Sequence, residues 1–129
     1  MNTCSHKQLI DGFWWADLIP EAMNRVTKRF PSLETIISIF KEVGFYLGGQ
    51  IVPVDAVLQG NNYLDKEGPL KKAYRDGDST WSLATEEELA TALTRVKKMN
   101  ADGRMKQYLE SRENLRKHIG QTTFIYAHK

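Results

Sequence analysis

The chain has 129 residues, of which 41% are hydrophobic and 26% charged, and its formal net charge is +2. Such a length suits one domain, residues 1–129, with a core of its own. So small a charge, with basic residues scattered along the chain, argues against nucleic acid as a partner. No apolar run approaches the roughly 18 residues of a membrane span. Cys4 is the only cysteine, which excludes an internal disulfide and leaves the cytoplasm as the expected compartment.

In chain order, the first residues lead at once into Leu9, Ile10, Phe13, Trp14 and Trp15. Two adjacent tryptophans carry a large apolar surface that must be covered, either as a plug of the core or as the wall of a pocket or partner surface. Pro20 suits the first turn of a helix and Glu21 complements its dipole, so a helix is expected over Ile19–Phe30, with Ala22, Val26 and Phe30 inward. Pro31 closes it. Ser32 then caps a second helix whose stripe is Leu33, Ile36, Ile37, Phe40 and Val43, with Gly44 as the stop. Phe45–Gly49 reads as a turn. The β-branched run Ile51, Val52, Val54 and Val57 predicts a strand over Gln50–Leu58, at an edge or a bulge because of Pro53. This unit, Ser32–Leu58, reads as the element around which the chain is organised.

Residues 59–83 form the least regular stretch, rich in turn signals, with a short helical piece at Pro69–Tyr74. A loop so long that still carries Tyr63, Tyr74 and Trp81 is expected to lie over a pocket or an interface, as a lid. Thr85 to Glu88 reads as a capping box, with Glu88 reaching back, and Leu89, Leu93 and Val96 form the buried stripe behind it. A last helix carries Met105, Tyr108, Leu109, Leu115 and Ile119 to Gly120, and Thr122–Ala127 is a β-type run. The fold class is therefore α+β, with about four helices on a small sheet. Two strands this short need each other, and an antiparallel pairing is expected.

Most chemical motifs fail on spacing. His6, His118 and His128 lie far apart and give no zinc-type pattern, so no metal is expected. The glycines at 44, 48 and 49 follow a helix and precede a strand, the reverse of the order in a phosphate-cradling loop. Tyr74 to Trp81 is the stretch richest in polar groups and aromatics together. It reads either as an ordinary loop pinned by Trp81 or as a lid presenting Arg75 and Ser79 to a substrate.

Several segments carry a resemblance. Thr3 to Leu9, Phe13-Trp14-Trp15 and Leu18 to Ala22 resemble the segment after the fifth strand of class I S-adenosylmethionine-dependent methyltransferases. Phe30 to Phe45 is similar to the helix before the sixth strand of that family, Asp76 to Trp81 to a C-terminal extension of one bacterial subgroup, and Phe124 to Ala127 to the final strand. The resemblance implies half of a Rossmann-like α/β methyltransferase fold, in which the final strand inserts antiparallel between the fifth and sixth and Asn2–Cys4 is the stub of a parallel strand. The glycine-rich strand–loop–helix that holds S-adenosylmethionine in the family has no counterpart here, so the chain alone is expected not to bind that cofactor. By the same resemblance, His6, Trp14, Trp15, Tyr74, Arg75 and Trp81 would hold a small-molecule acceptor. The expected protein partner is a complementary N-terminal half, or a second copy in a homodimer. The alternative is a non-catalytic α+β binding or oligomerisation module that keeps the fold.

Overall fold

Ser5 opens the first helix with a capping box. Its hydroxyl accepts from Gln8 N–H at 3.1 Å while the Gln8 side-chain oxygen accepts from Ser5 N–H at 2.9 Å. The computed structural model describes residues 1–129. This helix, α1 (His6–Asp11), follows a two-residue strand, β1 (Asn2–Thr3). Next come α2 (Pro20–Arg29), α3 (Leu33–Glu42), β2 (Tyr46–Ile51), α4 (Lys72–Asp76), α5 (Glu86–Ala101), α6 (Met105–Ile119) and β3 (Thr123–His128). The class is α+β, as expected; α1 joins the four expected helices, and α4 overlaps the short helical piece expected at Pro69–Tyr74. Pro20 stands in the first turn of α2, and the Ser32 hydroxyl accepts from Thr35 N–H at the start of α3. The stop of α6 at Gly120 requires a positive φ of 66°, a conformation that other residues rarely adopt.

The sheet has the order β1-β3-β2, with β3 antiparallel to both neighbours. Thr3 pairs with Thr123, and Gln50 and Ile51 pair with Ile125 and Phe124. The expected antiparallel sense is therefore found, but the span differs. β2 starts at Tyr46, inside the expected turn, and ends at Ile51 rather than Leu58. Pro53 lacks an N–H and cannot extend the ladder. The β-branched residues after it are used elsewhere: Val54 O accepts from Arg116 Nη1 at 2.8 Å, and Val57 packs on the core.

The core does not centre on residues 32–58. It is a cluster around Phe13, Trp14, Trp15, Tyr63 and Trp81, with Leu9, Leu18, Ile19, Val96, Met99 and Met105 among its other members. Trp14 and Trp15 are 0% and 1% exposed, and the rings of Phe13, Trp15 and Trp81 follow one another at 5.2 and 5.3 Å. From α3 only Ile36 is fully buried, while Ile39 and Val43 are exposed. A short sheet covers one side of a helix only, whereas indole rings between helices are covered on every side. Gly12 ends α1 under this cluster. A Cβ there would stand 2.4 Å from Gln8 O and 2.7 Å from Gly120 O, so no larger residue fits.

The start of α5 also departs from expectation. Thr85 accepts from Glu88 N–H as foreseen, but the Glu88 side chain does not return to Thr85. Its Oε1 accepts from Glu21 N–H at 2.7 Å and Ala22 N–H at 3.2 Å, capping α2 instead. The open N-terminus of α2 offers two unpaired donors and a favourable dipole, a stronger attraction than one local N–H.

Candidate functional site

Because β1 and β2 are both antiparallel to β3, they run parallel to each other, and their carboxyl ends lie on one side of the sheet beside the start of β3. Two buried glutamines organise that side. Gln8 donates through Nε2 to Ile119 O and Thr122 O, and its Oε1 accepts from Thr123 Oγ1 at 2.9 Å. Gln121 donates to Gly12 O at 2.9 Å, accepts from Leu58 N–H at 2.7 Å, and its carbonyl accepts from the Cys4 thiol at 3.2 Å. Burial pushes that thiol above its ordinary pKa, so it stays protonated and structural.

Beside Leu58 opens a cavity of about 340 Å³, lined by Leu58, Gln59, Asn62, Asp65, Lys71 and Tyr74 among others. Lys71 Nζ lies 2.7 Å from Asp65 Oδ2. This hydrogen bond holds the Asp65 carboxyl below its usual range and raises the Lys71 ammonium above its own. The cavity therefore presents a paired carboxylate and ammonium together with the side-chain amides of Gln59 and Asn62. Such a set offers hydrogen-bond donors and acceptors of both charges to a polar group.

Of the expected site residues, only Tyr74 lines this cavity. Burial keeps its phenol protonated far above the ordinary value, and it donates to Tyr63 O at 3.2 Å. The same carbonyl accepts from Trp14 Nε1 at 2.5 Å. Trp15 stands one layer behind the wall, its Nε1 donating to Gln59 Oε1 at 3.0 Å. Trp14, Trp15 and Trp81 are buried in the core and do not line this cavity: burying three indoles inside gains more than leaving them on a wet wall. Arg75 donates from Nη1 to Pro69 O at 2.7 Å and braces its own loop. His6 is exposed and apart from the cavity, its Nε2 donating to Phe30 O at 2.8 Å. The segment 59–83 forms the cavity wall, held to the core by Tyr63 and Trp81.

A second depression, of about 600 Å³, lies between the N-termini of α2 and α5 and is lined by Glu21, Glu86, Glu87 and Glu88. Its carboxylates face two helix starts, and Arg25 Nη1 stands 3.7 Å from Glu88 Oε2. This is capping electrostatics. No protein-family model, curated protein or solved structure matches this chain.

Sequence reasoning missed Gln8, Gln121, Tyr63 and Glu113. A Ser-x-x-Gln spacing at Ser5–Gln8 was the available signal for the first. No local pattern marks the others. The Tyr63 hydroxyl accepts from Trp14 N–H at 2.8 Å, and burial together with the nearby Glu113 carboxylate keeps it protonated well beyond the ordinary range. Glu113 in turn bonds Arg116 at 2.8 Å, a buried pair that ties α6 to the Val54 carbonyl.

Proposed function

We propose that this chain is the acceptor-side half of an S-adenosylmethionine-dependent methyltransferase, inactive by itself, with a small polar acceptor held beside the carboxyl ends of β1 and β2. The observation that carries the reading is the strand order. β3 lies antiparallel between β1 and β2, an arrangement similar to that of the final strand between the fifth and sixth strands of the resembled fold. Ligands of open α/β sheets bind beyond the carboxyl ends of their strands. The cavity adjoins that side, since Leu58 is bonded to Gln121 at the start of β3. Within it, Gln59, Asn62, Asp65, Lys71 and Tyr74 would orient the acceptor, and Trp14, Trp15 and Trp81 would give the wall its rigidity.

The residues present do not fit the methyl donor. Gly48 and Gly49 lie in β2 under the Tyr126 ring, where a Cβ at Gly48 would meet ring carbons at 2.5 and 2.6 Å, so the space over them is taken by a side chain. Methyl transfer requires donor and acceptor in line, and the donor site has to come from other residues. Sequencing the DNA upstream of the Met1 codon tests the reading. An in-frame strand–glycine loop–helix is expected there. Calorimetry should give no S-adenosylmethionine binding to the isolated chain, and a micromolar constant at one site per chain would overturn the division into halves. A second reading, a non-catalytic binding module, is favoured by the closed aromatic core, which buries Trp14 and Trp15 without help from another chain. An in-frame stop directly before Met1 supports it.

A further inference from the structure

We propose that the open edge of β2 pairs antiparallel with the same edge of a second copy, giving a symmetric dimer with a continuous sheet β1-β3-β2-β2-β3-β1. The inference rests on the edge itself and is independent of the methyltransferase reading. β2 bonds only to β3, so its other side presents a row of backbone N–H and C=O groups without partners in the sheet. Strand edges are normally guarded by charge or proline. Tyr46-Leu47-Gly48-Gly49-Gln50-Ile51 contains neither. The opposite edge of the sheet is a poor template, because β1 has two residues and the Met1 ammonium folds back to donate to Ile125 O at 2.7 Å.

The side chains favour a copy of the same strand. Tyr46 and Ile51 are 70% and 57% exposed. Five positions apart, they would point to opposite faces of a regular strand. A bulge between Leu47 and Gly49 changes that: Tyr46 stands opposite His128 and Ile51 opposite Phe124, which are on the same face of β3. A two-fold axis between Gly48 and Gly49 then sets Tyr46 of each copy beside Ile51 of the other, an aromatic–β-branched pair made twice. At the axis glycine meets glycine, so no side chain holds the backbones apart. The exposed Phe124 continues the apolar face away from the junction, and the Tyr126 ring lies on that face over Gly48 and Gly49. A net charge of +2 per copy opposes association only weakly.

Sedimentation equilibrium across micromolar to submillimolar concentration should show a mass rising from 14.8 kDa towards twice that value. Tyr46→Lys and Ile51→Lys should each weaken the dimer by about tenfold or more, with an unchanged circular dichroism spectrum, because a charge is placed opposite an apolar side chain at the junction. Register is read by cross-linking in a Cys4→Ser background. Tyr46→Cys mixed with Ile51→Cys should form an intermolecular disulfide on oxidation, and Tyr46→Cys alone should not. A single 14.8 kDa species at every concentration overturns the proposal. So does a dimer indifferent to both lysine variants, which would place the contact on another surface, or efficient cross-linking of Tyr46→Cys to itself.

Discussion

At the scale of single residues, the aromatic groups of this core are polar as well as large, and they hold one another through hydrogen bonds. Trp14 donates its indole N–H to Tyr63 O and its backbone N–H to the Tyr63 hydroxyl, with no exposed surface on either side chain. Trp14→Ala removes a full indole from a closed site together with its N–H bond to Tyr63 O, while the backbone N–H bond to the Tyr63 hydroxyl remains. It should cost about 3–5 kcal/mol in urea unfolding, and a loss below 1 kcal/mol would show the site to be loosely packed. The phenols set an alkaline limit on stability. Tyr63, Tyr74 and Tyr108 are held protonated in the fold, chiefly by burial, well above their ordinary value near 10. Above about pH 10 the unfolded chain releases these protons while the folded chain keeps them, so rising pH favours unfolding. Stability from this source is complete below about pH 10 and falls as pH climbs towards the folded-state values. Urea midpoints at a series of alkaline pH values should fall, and Tyr63→Phe should flatten the decline.

At the scale of elements, the helices are joined through their ends as much as through their faces. Glu88 belongs to α5 but caps α2, and Arg25 of α2 donates to Leu83 O at 2.7 Å just before α5 begins. Glu88→Ala therefore removes the acceptor for two backbone donors of another helix, and should cost about 1–2 kcal/mol. Thr85→Ala should cost about 1 kcal/mol through α5 alone. The partition is visible in hydrogen exchange. Faster exchange in the first turn of α2 is expected for Glu88→Ala but not for Thr85→Ala, and the same pattern in both would refute the cross-helix cap.

At the scale of the whole molecule, stability is uneven. The aromatic cluster joins α1, α2, α5, α6 and the segment with Tyr63 and Trp81, whereas α3 and β2 contribute no residue to it, and Ile39, Val43, Tyr46 and Ile51 stand in solvent. Few buried contacts mean a low free energy of local opening. Amides of α3 and β2 should exchange through partial openings in which α5 and α6 remain protected; equal protection throughout would mean that the sheet and the helical core open as one unit. The same unevenness places the open surface of the molecule on the sheet, where a second chain would add most.

Local signals settled what local physics settles. Pro20, Ser32, Thr85 and the glycines at 44 and 120 marked helix ends, because capping and backbone conformation depend on a few neighbouring residues. The apolar spacing of α3 and the β-type run at the C-terminus had the same standing. Which apolar group becomes the centre is a different matter. Residues 32–58 form the most apolar stretch, yet the core formed around Trp14, Trp15, Tyr63 and Trp81, since burial depends on how many elements surround a side chain. The end of β2 at Ile51 reflects competition from Arg116 and Gln121 for the backbone beyond Pro53. Glu88 turned to α2 for a similar reason, its second helix start being 66 residues away in the chain. Those partners are remote in sequence and near in space, so only the tertiary structure decided between them.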